Sequence, residues 1–225
     1  KLKMKFKHYI VTRFLQNVGT PDPEGWLESR VDLFNNFHIK SKLNQTNQNF
    51  ESIFLVSGEY MDWDFSSFHF NKINHRILNA EDFPNNLLTK EDKDLDCIIT
   101  SRVDSDDILA KNYIQNIQSH ARLNSIMDHS EYFMLSSDLK RYSIRRPKLD
   151  SMFLSTCFHP NDINSSHCMV DQHPLMSRHF SGKININGVG SAAIIHGGNI
   201  SNDIDRQNAR NLEDDELIKI FGNIR

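Results

Sequence analysis

Cysteine is scarce. The three residues Cys97, Cys157 and Cys168 form no Cys-x-x-Cys pair, and their odd number argues against a closed disulfide framework and for a reducing compartment. Basic charge is not in excess either. Lys and Arg number 26 against 29 Asp and Glu, a net charge of -3, so no global positive field exists to grip a nucleic-acid backbone, and no nucleic-acid partner is expected. Long apolar runs are missing too. The basic start, Lys1 to Lys7, is followed only by the stretch Tyr9 to Phe14, too short and too broken by Arg13 to be a secretion signal or a membrane span. A cytoplasmic location, with peripheral association at the inner face of the membrane left open, is the resulting expectation.

Glycine and proline are few and scattered, no internal repeat appears, and no linker-like tract divides the chain, so residues 1–225 read as a single domain. With 38% hydrophobic residues the chain has enough apolar mass for its own core. His8 to Phe14 reads as a strand, and Leu27, Val31 and Phe34 place a helical stripe within Trp26 to Phe37. Ile53 to Val56 is a short apolar run ending at Ser57-Gly58, as in a strand buried on both faces of a parallel sheet, and a weaker strand is expected near Ile73 to Leu78. Further strands are expected at Cys97 to Ile99, Tyr132 to Leu135, Met152 to Thr156 and Ala192 to Ile195. Ala110, Ile114, Ile117 and Ala121 share one helical face, and Leu212 to Phe221 is expected to form a terminal helix. The alternation predicts an α/β fold with a mostly parallel central sheet flanked by helices.

The most informative unit is a buried strand followed by Asp104-Ser105-Asp106-Asp107. In an open parallel sheet ligands bind outside the carboxyl ends of the strands, where this turn lies. Two carboxylates one residue apart on an extended segment point the same way, and magnesium or manganese is held by one or two carboxylates with phosphates and water completing the shell. Asp104 and Asp106 are therefore metal-ligand candidates, and Asp107 is expected to cap the following helix. Arg13 and Arg102, at the same sheet edge, are candidates to pair with a diphosphate through their forked guanidinium groups. Asp62 and Asp64 are weaker candidates for contacting a nucleoside. Cys157, His159, His167, Cys168, His173 and His179 cluster along one stretch, but none of them stand at zinc-ligand spacing, so packing and acceptor-site roles are preferred.

The run Thr100-Ser101-Arg102-Val103-Asp104-Ser105-Asp106-Asp107 resembles the Thr-x-Arg-x-Asp-x-Asp-Asp signature of the rhamnosyltransferase family, a group of GT-A-like bacterial glycosyltransferases. His8 to Phe14 is similar to that family's opening strand, and Ile195-His196-Gly197-Gly198-Asn199-Ile200-Ser201 to its closing His-Gly-x-Asn segment. The resemblance implies a GT-A-like domain in which residues 1–110 form the nucleotide-sugar-binding half and 111–225 the acceptor and catalytic half. It implies that Asp104 and Asp106 carry Mn2+ or Mg2+ on the phosphates of a nucleotide-diphosphate sugar, with His196 as a further ligand. It also implies that Asp171 removes a proton from the acceptor hydroxyl of a glycan or lipid-linked saccharide; Asp162, His167 and His173 are its rivals. Two other readings remain open at this level: a magnesium-dependent phosphoester hydrolase using the same carboxylates, and a non-catalytic metal- or sugar-binding module.

Overall fold

In chain order, strand β1 (Phe6–Leu15) leads through helix α1 (Pro23–Leu33), a π-helical turn (Phe34–Ile39) and the short α2 (Lys40–Leu43) to β2 (Glu51–Val56) and β3 (His75–Asn79). Strands β4 (Cys97–Arg102) and β5 (Ile108–Leu109) bracket the acidic turn, and α3 (Tyr113–His120) follows. Then come β6 (Ser125–Ser136), β7 (Arg141–Arg145), β8 (Ser155–Phe158), α4 (Ile163–Ser166), β9 (Gly182–Ile195), β10 (Arg210–Asn211) and α5 (Asp214–Phe221). The structure is a computed structural model that describes residues 4–16, 22–196, 204 and 208–224.

These strands join in one curled sheet ordered β10-β7-β6-β8-β4-β1-β2-β3, with β9 pairing both β5 and β6. The expectation of a mostly parallel sheet is corrected here, because the sheet is mixed. Strands β4, β1, β2 and β3 pair in parallel, as does β6 with β9. Strand β8 turns antiparallel against β4 and β6, and β7, β10 and β5 also pair antiparallel. The cause is local: β7 follows β6 across the turn Ser137 to Lys140, too short for a parallel crossover. The parallel part behaves as its apolar runs predict. All six residues of β2 and all six of β4 are buried, because helices and loops cover both faces.

Helix α1 begins where Asp22 accepts a hydrogen bond from the Gly25 amide at 3.0 Å and Pro23 takes the first helical position. The helix does not end at Leu33 but widens into the π-helical turn, which buries Phe34, Phe37, His38 and Ile39 against the sheet. Phe14 anchors the cluster that holds this turn. Its ring lies edge-on to Phe34, Phe65, Phe68 and Phe70 with centroids 4.9 to 5.6 Å away, and to Phe54 at 6.1 Å. Such pairs add about 0.5–1.5 kcal/mol each beyond the area they bury. Phe14→Ala is therefore expected to destabilise the fold by about 3–5 kcal/mol, measured as a lower denaturant midpoint at unchanged slope. A loss under about 1 kcal/mol would show that the cluster repacks freely.

Candidate active site

The carboxyl ends of the parallel strands open onto a cleft of about 690 Å³. Arg13 comes to its wall from the end of β1, Leu55 from β2, Ala80 from just beyond β3 and Arg102 from the end of β4; the loop after α4 closes the far side with His167, Asp171 and His173. Arg13, Arg102 and Asp171, three residues singled out in the sequence, thus share one cavity. Asp162, by contrast, is an exposed residue outside the cleft lining.

Arg102 is 93% buried by its 7% exposure, and its guanidinium makes no hydrogen bond or ion pair with any described residue; Nε is fully enclosed and unpartnered. Burial, and then the charge of Arg13, lower its affinity for a proton, but a guanidinium stays charged in proteins. A buried, unpaired cation facing a cleft is costly unless an anion enters.

The acidic turn sits beside these arginines with each carboxylate in a different environment. Asp104 is gripped by Arg13, whose Nη2 donates to both carboxylate oxygens at 3.0 and 3.1 Å. Asp106 accepts from Nη1 of Arg30, on α1, and meets Nε2 of His196 at 2.9 Å. Burial raises the Asp106 carboxyl, but His196 and Arg30 more than offset this and hold it below the usual carboxylate range. Asp107 does not cap a helix, which corrects that expectation: β5 intervenes and α3 starts only at Tyr113. Instead Asp107 is buried, and its Oδ1 accepts from the Ile194 amide of β9 at 3.1 Å. Burial, with repulsion from Asp106 and Asp104, pushes its carboxyl well above the usual range.

The turn is braced from below by a polar chain. Lys42 Nζ donates to Thr12 Oγ1 at 3.4 Å, Thr12 Oγ1 lies 3.3 Å from His38 Nε2, and His38 Nδ1 lies 3.2 Å from the carbonyl of Asp107. One assignment satisfies every member: the carbonyl takes the Nδ1 proton, so Nε2 accepts from the threonine hydroxyl. Burial, and then the charge of Lys42, keep His38 far below its ordinary pKa and therefore neutral.

Asp171 lies at the cleft rim ahead of the 3-10 turn His173–His179. Its Oδ1 accepts from the Gln172 amide at 2.7 Å, and its Oδ2 lies 3.1 Å from His179 Nε2. The His179 contact first, then the amide, lower its carboxyl pKa. Asp62 and Asp64 are exposed on the loop beyond β2, where Asp64 accepts from Ser66, and they do not line the cleft. Phe153 and Phe158 are buried in the core. Of the closing segment, Ile195 and His196 are placed, while 197–201 lie outside the described residues.

Residues 22–210 match the sequence pattern of a family described as "Putative rhamnosyl transferase". The chain belongs to this family. No curated protein matches it in sequence. Among solved structures, the inositol-1-phosphate CTP transferase from T. maritima is similar at a TM-score of 0.43 and 9% identity, covering 84% of this chain and 89% of that one, a likeness too distant to carry a functional argument. The rhamnosyl transferase match spans both the cleft and the acidic turn, so the positions described above fall inside it, apart from Arg13 and Thr12 on β1.

For this rhamnosyl transferase family member, sequence reasoning overlooked Arg30, on α1 beside the apolar stripe, and the brace formed by His38 and Lys42. A trace of Arg30 was visible: Trp26 stands four residues earlier on the same face, and the guanidinium lies over its ring at 4.9 Å. The pH dependence of Asp107 tests the electrostatics of the turn. Its folded pKa is raised above the ordinary 3.8, so its stabilising contribution is fully present below that value and lost as pH rises through the folded pKa. Asp107→Asn keeps an oxygen for the Ile194 amide and removes the loss. It is expected to raise the urea midpoint at pH 8 while matching the unsubstituted chain near pH 4; an equal shift at both pH values would refute the assignment.

Proposed function

We propose that the chain is a metal-assisted glycosyltransferase of GT-A-like architecture. It moves a sugar, rhamnose by the family's name, from a nucleotide-diphosphate sugar to a hydroxyl of a glycan or lipid-linked saccharide, in the cytoplasm at the inner face of the membrane. No helix of the described residues is long and apolar enough to cross a membrane. The observation that carries the reading is an unpartnered buried guanidinium in a cleft at the carboxyl ends of parallel strands, with a carboxylate-rich turn beside the cleft and tied to its wall where Arg13 grips Asp104. A diphosphate supplies the anion that Arg102 lacks, and the turn supplies anions for a cation that accompanies it.

The donor set suits Mn2+ or Mg2+. Asp106 Oδ2 and His196 Nε2, a carboxylate oxygen and an imidazole nitrogen, are already in contact at 2.9 Å and are donor types that such an ion would accept. Among the described residues no three His, Cys, Asp or Glu side chains already stand grouped around one ion. Asp106 and His196 would therefore hold it and Asp104 would join them on leaving Arg13, the ion supplying charge neutralisation for the departing nucleoside diphosphate. Arg30 occupies the same pair of atoms, lying 3.4 Å from His196 Nε2, so it must swing aside for the ion to bind. Arg13 and Arg102 bind and orient the diphosphate through forked contacts. Asp171 takes the proton of the acceptor hydroxyl as the oxocarbenium-like centre forms. Its contact with His179 fixes the carboxylate at the rim while keeping it ionised.

A nucleoside diphosphate is expected to bind at least tenfold more tightly with Mn2+ than with chelator in calorimetry, and Asp106→Ala to abolish that difference. Metal-independent binding unaffected by the substitution would count against the assignment. Asp171→Asn is expected to lose about 10²–10⁴-fold in turnover with donor affinity retained, and near-normal turnover would remove it as the base. A screen of nucleotide sugars for transfer or donor hydrolysis separates this reading from a phosphoester hydrolase or a binding module, neither of which transfers sugar.

A further inference from the structure

His167 has no role in the mechanism above, yet it lines the same cleft as Arg102. It is 6% exposed, with its ring edge-on to Phe83 at 5.0 Å. The Met169 amide donates to its Nδ1 at 3.1 Å. A backbone N–H can only donate, so Nδ1 must carry a lone pair, and in a neutral ring the proton sits on Nε2. Nε2 finds no partner among the described residues. The next residue, Cys168, is tied through its amide to Thr100 of β4 at 2.8 Å and lies close enough to Arg102 to feel its charge. The loop is thereby fixed to the strand that carries Arg102.

Two unspent donors, one charged and one neutral, therefore reach the same cleft from elements fastened to each other. We infer that His167 is a substrate-contact residue whose Nε2–H, together with the guanidinium of Arg102, binds a phosphate oxygen of the donor's diphosphate. The same geometry excludes His167 as the catalytic base, since its one free nitrogen already holds the proton. Burial, with the charge of His179, lowers its pKa to about 4, so the ring stays an uncharged donor at neutral pH. An uncharged donor suits this position: a second full positive charge beside Arg102 would add to the repulsion already exerted by Arg13. The identity of the anion as a diphosphate rests on the function proposed above; the donor pair itself does not.

The test uses the full chain and inorganic pyrophosphate in calorimetry, beside a nucleoside diphosphate. His167→Phe keeps the contact with Phe83 and removes the donor, and is expected to weaken pyrophosphate binding about tenfold, the usual effect of deleting one hydrogen bond to a charged group. His167→Gln, which restores an N–H at similar reach, is expected to recover most of it. Arg102→Met is expected to weaken binding further and to make the His167→Phe effect smaller, as for two donors sharing one anion. Should the variants fold poorly, long-range proton–nitrogen NMR of the unsubstituted chain is expected to show the Nε2–H tautomer at pH 7 and a shift of that resonance on adding pyrophosphate. Unchanged affinity in His167→Phe, or an Nδ1–H or doubly protonated ring at pH 7, overturns the inference. Pyrophosphate binding that depends on His167, in a chain that transfers no sugar from any donor, would sink the proposed function and leave this inference standing. Sugar transfer with His167→Phe binding normally would do the reverse.

Discussion

Three carboxylates packed into four residues repel one another, and the architecture around Asp104, Asp106 and Asp107 is an answer to that repulsion. Each acid is neutralised by a different means. Asp104 takes a forked guanidinium from β1, Asp106 takes a second guanidinium from α1 and an imidazole from the end of β9, and Asp107 is driven toward its protonated form inside the sheet. Three elements distant in sequence, β1, α1 and β9, must converge on the turn before it is tolerable, so the turn can exist only in the finished fold. Such an arrangement leaves little uncompensated charge, and exposes two acids when its arginines are drawn away.

The π-helical turn after α1 makes this convergence geometrically possible. A regular α-helix would present one apolar stripe, whereas the widened turn buries Phe34, Phe37, His38 and Ile39 together. Phe34 and Ile39 feed the aromatic cluster around Phe14, while His38 reaches the Asp107 carbonyl. Packing and chemistry are thus coupled through one irregular segment. Lys42, one turn further on, completes the chain through Thr12 with no carboxylate paired to it among the described residues, and burial drives its pKa well down. The brace reaches the turn through a hydroxyl, an imidazole and a backbone carbonyl, and so holds its backbone without engaging its carboxylates.

How much of this was legible in the chain follows from which interactions are local. The apolar runs of β1, β2 and β4 and the strand-then-acids order are properties of contiguous residues, so the parallel part of the sheet and the position of the turn could be read directly. The antiparallel half could not. Nothing in Ala192 to Ile195 reveals that β9 begins at Gly182 and runs beside β6; the alternation of Lys183-Ile184-Asn185-Ile186-Asn187 is a half-buried strand signal that was passed over, and its partner strand is set by long-range pairing alone. The helix expected at once after Asp107 is displaced by β5, two residues whose strand character comes only from pairing with β9. At the site, Asp104, Arg13, Arg102 and Asp171 were visible by residue type and place. Arg30 and His38 were not, since a charged residue on an amphipathic helix and a histidine in an apolar stretch look the same whether or not a distant loop needs them.

The contact between Arg13 and Asp104 has a bearing on ionic strength. A free arginine that captures a phosphate releases small counterions, and its affinity falls steeply with added salt. Arg13 is not free: a phosphate that claims it displaces a carboxylate already in place, so one anion is exchanged for another and few salt ions change hands. Arg102, by contrast, makes no direct hydrogen bond or ion pair with a described residue and feels the Asp104 charge only at a distance. The cleft therefore combines two basic residues with the salt sensitivity of roughly one, a property that suits a charged ligand taken up from a medium of variable composition.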